Sequence, residues 1–522
     1  MIDYSNRYNI ILDLHQKDED GNYPLLSAIT KNNIEMVKIL MEYSIKKKIR
    51  LDLNKNGEND YYPLEEAIDN NNIELVKLII EYANKNQQLL NLNKKTSYGA
   101  YPLLSASYEN NTEIVKLLIE YATKNKIILN INEKNKYNKY PILIAINNNN
   151  IEIVKLLKEL LLNDSIKNNI IININEKDNN GKYPLLYAIG KNDTEKVKLI
   201  IDYANKNNII LNLNEKENKS RNYSFLESIC YGNINITELI IDYANKNNII
   251  LNINEKNRYG NYPFLKAVFN KSIKVLKLII DYANEKKIIL NLNENNNYKD
   301  NPLILASNIR NISFGRNRNE GLIIFKLILD YASENNIILK INEKNKDGNY
   351  PLLNAIANNN TEVVKLIIDY ANNKDIILKL NEKENKFGSY PLINAINKRN
   401  LEVVKLLVTY ANINNIILEL NEKENKHGDY PILRSVVNKN IEMVKLIINY
   451  ANEKEIILKL NEKDNNGNYP FLIATINNSL IIVKLLIDYV NKNNIILELN
   501  EKDNKERKSP LLWAISHKYN FS

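Results

Sequence analysis

The sequence predicts an all-α repeat solenoid, and three observations carry that prediction. The 12 prolines fall in step, at Pro24, Pro63, Pro102, Pro141, Pro184, Pro263, Pro302, Pro351, Pro391, Pro431, Pro470 and Pro510, with Ser224 in the slot of a thirteenth. Slots are 39 or 40 residues apart, except for 43 after Pro141 and 49 after Pro302. Behind each slot the same two apolar patterns recur, both at helical spacing. Finally, the apolar residues hold this register through an Asn- and Lys-rich background, which disorder would not require. A period of this size stacks units on one continuous core. The expected organisation is therefore a single array over 1–522. Residues 1–20 are a partial unit (the end of a second helix and its connector), 21–506 are twelve units, and 507–522 are a partial thirteenth.

The unit from Gly348 to Lys386 shows the elements in order. Proline 351 suits a first helical turn, where its missing N–H is not needed. Leu352, Leu353, Ala355 and Ile356 then mark a short first helix, and the cluster Asn358 to Asn360 ends it. Thr361, followed by Glu362, signals the start of a second helix. Its apolar face is Val363, Val364, Leu366, Ile367 and Tyr370. The β-branched run IILKLN predicts a short extended segment leading into the turn KENKFG. Eight units place glycine three residues before the proline slot, at Gly21, Gly99, Gly181, Gly260, Gly348, Gly388, Gly428 and Gly467. A turn residue with positive φ is the physical reason.

Tyr-Pro-Leu-Leu/Ile-x-Ala, a short helix, a turn, I-V-K-L-L/I-I, then Asn and a glycine turn resembles the ankyrin repeat along the whole chain. The match has departures. Tyr350-Pro351-Leu352-Leu353 stands where that family has Thr-Pro-Leu-His, so the capping hydroxyl and bracing imidazole are absent. Ala371-Asn372-Asn373 replaces the glycine that ends the second helix. The IILKLN region lengthens the usual unit of about 33 residues. The resemblance implies helix-turn-helix units with extended hairpin connectors. A HEAT-like solenoid, with repeats of about 40 to 47 residues, is the alternative, and the glycine turn before Tyr-Pro favours the ankyrin reading.

The copies can be compared with one another. Asparagine holds one slot in all twelve connectors, from Asn54, Asn93 and Asn132 to Asn461 and Asn500, and a side chain bonded to its own turn is the expectation. Tyrosine recurs nineteen residues after the slot, from Tyr43 and Tyr82 to Tyr450 and Tyr489, as a packing stripe. The lysine of the V-K pair (Lys38, Lys77, Lys116, Lys155, Lys198, Lys365, Lys405, Lys445, Lys484) reads as a solvated helix position in preference to a ligand ladder.

Two units break the pattern. After Pro141 the second helix, IEIVKLLKELLLNDSIKNN, gains four residues, about one turn, which keeps its apolar face in phase. After Pro302 ten residues enter between the two helices as SNIRNISFGRNRNEG. A loop on a regular array is a contact candidate, and Arg310, Phe314, Arg316 and Arg318 are its candidate residues. At the ends, MIDYSNRYNIILDLHQK aligns without a gap on Ile200 to Lys216, and PLLWAI from Pro510 opens a first helix. Neither end carries a dedicated polar cap, so end-to-end self-association is an expectation.

Composition excludes several classes. Lys plus Arg (71) exceeds Asp plus Glu (62) by a formal +9, spread over the length, too thin for a dedicated nucleic-acid-binding domain. One cysteine, Cys230, excludes an internal disulfide framework. The first residues lack a signal peptide's basic and apolar regions, and no run of about 18 apolar residues offers a membrane span. A cytoplasmic, intracellular protein without membrane insertion is expected. His15, His427 and His517 lie too far apart in a solenoid to share a metal or a nucleophile. No glycine-rich phosphate loop occurs, and carboxylates such as Asp369 and Glu382 recur as surface charge. No catalytic, cofactor-binding or metal-binding residue is expected, nor enzyme activity.

The leading reading is a non-catalytic scaffold that binds a partner protein through the concave face and connector tips. The ankyrin resemblance implies that residues six and seven after the proline face the groove; here they include Tyr108, Tyr231 and Phe269. Four residues before the slot stand Tyr98, Tyr137, Tyr259, Tyr298 and Phe387, and exposed aromatics are favoured interface anchors. One alternative is a nucleic-acid-binding solenoid using lysine rows and stacked tyrosines, against which stand acidic residues such as Glu343, Glu382, Glu422 and Glu462 in the connectors. The other is a self-associating structural array.

Overall fold

The computed structural model describes residues 2–160, 171–310, 319–502 and 507–516. Among these, every regular element is a helix. Contacts divide the chain into two compact units, Met1–Asn252 and Ile253–Ser522. Both are built from the same helix pairs.

A first helix begins at the proline slot itself, as in Pro24–Thr30, Pro102–Tyr108 and Ser224–Cys230 of one unit and Pro263–Phe269, Pro351–Ala357 and Pro431–Val437 of the other. Its partner is usually 13 residues long, as in Ile34–Lys46 and Thr361–Asn373. First helices pack on their own second helix and on the first helices to either side; Pro351–Ala357 touches Pro302–Ser307, Thr361–Asn373 and Pro391–Asn397. Leu352, Leu353, Ala355, Ile356, Val363, Val364, Ile367 and Tyr370 are all buried, as the apolar pattern requires. Leu366 is half-buried, and Ile368 takes its place against the core.

Helix ends depart from expectation by small, explicable amounts. The cap of the second helix is Asn360, one residue before Thr361, and its side chain accepts the Val363 N–H at 3.3 Å. Asn33, Asn72, Asn111, Asn233, Asn400 and Asn440 do the same in their units. The second helix runs through Ala371-Asn372-Asn373, and the residue that takes the left-handed conformation is Asp375, with φ 52°. The Ile376 N–H then closes the end on the Ala371 carbonyl at 2.9 Å.

All eight turn glycines have positive φ, from 63° at Gly388 to 83° at Gly21. Where glycine is missing, Asp60, Asn138, Arg221, Lys299 and Arg507 adopt the same left-handed conformation. The geometry belongs to the turn, and glycine is its least strained occupant.

The extended segments form no strand among the described residues, because side chains take their backbone hydrogen bonds. The connector of residues 376–386 shows how. The Tyr350 hydroxyl donates to the carbonyls of Lys379 and Glu382, at 2.8 and 3.2 Å. Tyr410, from the next unit, accepts the Leu378 N–H at 3.2 Å and donates to the Ile376 carbonyl at 3.0 Å. Asn342, from the preceding unit, donates to the Ile377 carbonyl at 2.8 Å and accepts the Lys379 N–H at 3.2 Å. This corrects the expectation for the connector asparagines. Their side chains bridge to the following unit, with the same paired bonds from Asn54, Asn93 and Asn214 and from Asn254, Asn381 and Asn461. The tyrosine stripe is buried, and its hydroxyls are structural.

The additional turn expected after Leu160 falls outside the described residues. The second helix after the longer insertion, Glu320–Glu334, has 15 residues. No helix among the described residues is long and apolar enough to cross a membrane.

Candidate functional site

Several connectors end in a tip that is locked by the next tip. The Lys136 N–H donates to the Tyr98 carbonyl at 3.3 Å, Asn179 to Tyr137 at 3.3 Å, Asn297 to Tyr259 at 3.0 Å, Lys346 to Tyr298 at 2.9 Å and Asn425 to Phe387 at 2.6 Å. With the backbone engaged, the ring points outward. Tyr98, Tyr137, Tyr259 and Tyr298 are 50 to 67% exposed, and Phe387 is 38% exposed. Tyr108, Tyr231 and Phe269, at the ends of first helices, are exposed as well.

In the Met1–Asn252 unit the turn around Asn135 carries Tyr137, reaches Tyr98 and Tyr108, and lies near a fourth ring, Tyr187. Asn135, in the same turn as Tyr137, donates to the Tyr108 hydroxyl at 3.4 Å, and Lys136 lies 5.7 Å from the Tyr98 ring centre. Tyr187, on the face of Pro184–Gly190, donates to Asp178 at 2.7 Å and sits between the ammonium groups of Lys139 and Lys182, at 6.0 and 5.3 Å. Burial, more than the neighbouring charges, pushes the Tyr108 and Tyr187 phenols up. Sequence reasoning missed Tyr187; its signal is an aromatic three residues after the proline slot, a position that only Trp513 shares in kind. Tyr231 stands apart, on the cap after Cys230, and Cys230 is half-buried.

In the Ile253–Ser522 unit, Tyr259 and Tyr298 lie on adjacent tips, and Lys266 covers Phe269 at 4.5 Å. Phe387 lies between Lys386 and Lys426, at 4.8 and 5.7 Å, and lines a groove of about 630 Å³ with Leu353, Ala357 and Asn394. This groove runs between connector tips and first helices. Arg310 is exposed three residues beyond Pro302–Ser307, whereas Phe314, Arg316 and Arg318 lie outside the described residues.

The lysines form charge ladders in place of bare basic rows. In the V-K row, Lys38 pairs with Glu74 at 2.8 Å, Lys116 with Glu152 at 2.6 Å and Lys365 with Glu402 at 2.7 Å, each glutamate belonging to the next second helix. In the connectors, Lys95 pairs with Glu133, Lys177 with Glu215, Lys256 with Glu294 and Lys463 with Glu501, all at 2.6 or 2.7 Å. The hydrogen bond from Lys256 holds the Glu294 carboxyl below the usual range. His15 and His427 are exposed, and His517 lies outside the described residues, among which no cluster of metal ligands occurs.

A family model described as ankyrin repeats (3 copies) matches residues 5–89, 85–170 and 317–416, together just over half of the chain. Among solved structures, the chain is similar to the ankyrin repeat domain of Bcl-3, described as a unique member of the IkappaB protein family. The identity is 13%, over 52% of this chain and 100% of that one, with a TM-score of 0.35. No curated protein sequence matches. The helix pairs, the Tyr-Pro first helices and the matched residues together place the chain in the ankyrin-repeat family.

Proposed function

We propose that this chain is a non-catalytic scaffold that binds a partner protein on its aromatic connector tips and the adjoining ends of its first helices. Ankyrin repeats are in general protein-interaction modules, which supports the class of function. The observation that carries the finer reading is the locked tip, where the backbone is hydrogen-bonded to the next tip and the ring stays in solvent. A ring held this way loses little further freedom on docking, and immobilising side chains is a main cost of association. Lysines flanking Tyr98, Tyr187 and Phe387 add a polar, cationic rim. Lysine rows already paired to glutamates count against nucleic acid as the ligand.

The test is affinity capture from source-cell lysate with the intact chain and with a variant carrying Tyr98→Ala, Tyr137→Ala, Tyr259→Ala and Phe387→Ala. Loss of a specific protein from the variant, with unchanged circular dichroism, is the expected result. Retention of every captured protein by the variant would move the site away from the tips. Capture of nucleic acid alone would overturn the reading.

A further inference from the structure

One first helix breaks a rule that the others keep. Two residues after the slot stand Leu26, Leu104, Leu143, Leu186 and Leu226 and, in the second unit, Leu265, Ile304, Leu353, Ile393, Leu433 and Leu472. In Pro63–Asp69 that position is Glu65, which is fully buried. One carboxyl oxygen accepts from the Ser105 hydroxyl, and the other, Oε2, has no hydrogen-bond partner in the protein. Beside it on the same helix stand Glu66 and Asp69, and Glu109, the cap of the neighbouring Pro102–Tyr108, lies near Asp69. Glu66 is half-buried, while Asp69 and Glu109 are exposed. The four form an acidic cluster, with the buried Glu65 carboxyl inside and the exposed Asp69 and Glu109 carboxyls outermost.

The cluster has no cation of its own among the described residues. None of the four carboxyl groups forms an ion pair among the described residues, although lysines pair with glutamates along both ladders. Thr30 from the preceding first helix, Tyr61 from the turn, Ser105 from the following helix and the buried phenols of Tyr62 and Tyr101 are the other polar groups facing it. All are neutral. Burial pushes the Glu65, Glu66, Asp69 and Glu109 carboxyls up, and neighbouring carboxylates add to the rise at Glu65, Glu66 and Glu109. Four carboxyls held together without a counterion attract a cation, and a partner's side chain can bring one.

We propose that the acidic cluster around Glu65 receives the cationic side chain of an arginine or lysine from a partner polypeptide. The inference depends on the scaffold reading only for what carries the cation, since the cluster shares no residue with the aromatic tips. Entry of the cation favours ionised Glu65, so binding releases a proton and strengthens as pH rises.

The test uses the full chain with ¹³C-carboxyl-labelled Glu and Asp, titrated with N-acetyl-arginine amide, N-acetyl-lysine amide and N-acetyl-norleucine amide at several pH values. A saturable shift of the Glu65 and Asp69 carboxyl signals by the cationic probes, with Kd no weaker than about 10 mM, is expected. Norleucine amide is expected to leave them unmoved. Glu65→Leu restores the residue type of the other units, so it should fold at least as well and bind at least about tenfold more weakly. Glu66→Gln with Asp69→Asn is expected to weaken binding similarly, and Tyr98→Ala to leave it unchanged. Absence of a saturable shift, an equal response to norleucine amide, or full binding by Glu65→Leu would overturn the proposal. Loss of partner capture by the tip variant with intact probe binding would separate the two readings.

Discussion

At the scale of single residues, two side chains do what their neighbours in the repeat do not reveal. Asn381 spends its amide on the next unit, donating to the Ile417 carbonyl at 2.7 Å and accepting the Glu419 N–H at 3.1 Å. Each such bond is worth about 0.5 to 1.5 kcal/mol, so Asn381→Ala is expected to cost about 1 to 2 kcal/mol and to speed hydrogen exchange at Glu419. Asn381→Asp keeps the acceptor and loses the donor, and about half the cost is expected. An unchanged Glu419 exchange rate in Asn381→Ala would show the bridge to be idle. Glu65 makes the opposite case, a carboxyl in a leucine slot that burial pushes up to about 8 from its ordinary 4.5. The folded state holds this proton more tightly than the unfolded one. The resulting stabilisation is full below about 4.5 and is lost as pH rises to about 8. Glu65→Gln is therefore expected to change little at pH 4.5 and to stabilise by up to about 5 kcal/mol at pH 9, at 1.36 kcal/mol per unit. Urea denaturation or hydrogen exchange of Pro63–Asp69 across pH checks it, and a pH-independent gain would refute the assignment.

At the scale of elements, the turn and the helix ends follow rules readable from the repeat, with exceptions that packing explains. Gly348 has φ 82°, and a Cβ there would lie 2.7 Å from Oδ1 and 2.9 Å from the backbone nitrogen of Asn385 on the next tip. Gly232, with φ 67°, has nothing within 4 Å of the same position. Gly232→Ala should then cost only the left-handed backbone, about 1 kcal/mol. Gly348→Ala adds a clash with backbone and is expected to cost about 2 kcal/mol or more; equal losses in chemical denaturation would show that the tips part freely. Asn360 caps the helix that Thr361 opens, for a simple reason. Asparagine accepts the third N–H of the helix from outside, which leaves threonine as the first helical residue. The left-handed residue after the second helix escaped notice because Asp375, Lys126 and Glu455 hold it in place of glycine. The helix end is fixed there by backbone bonds to the carbonyls behind it.

At the scale of the molecule, the charge ladders decide what a formal +9 means. Along both units many of the lysines stand beside glutamates one repeat away, and the paired groups remain partly in solvent. Exposed pairs contribute about 0 to 1 kcal/mol each, so they neutralise the surface more than they stabilise it. Affinity for a duplex oligonucleotide at 0.15 M salt is expected to be no tighter than about 10⁻⁴ M. Sub-micromolar affinity falling steeply with salt would show that the lysines leave their partners for phosphates.

The sequence alone determined the repeat, the register of both helices, the positive-φ turn and the buried tyrosine stripe, because each follows from periodicity or backbone sterics within some forty residues. The aromatic tips were visible for the same reason, as departures in a known slot. What the tertiary structure decided is which groups meet across units. Connector amides bond backbone 35 to 38 residues ahead, and up to 47 where a unit is longer, Lys139 reaches the Tyr187 ring, and Ser105 reaches back to Glu65, 40 residues away. The pattern within a unit sets the face on which a side chain lies, while its partner depends on the offset between stacked units. That offset is set by helix packing, and no spacing within one repeat encodes it.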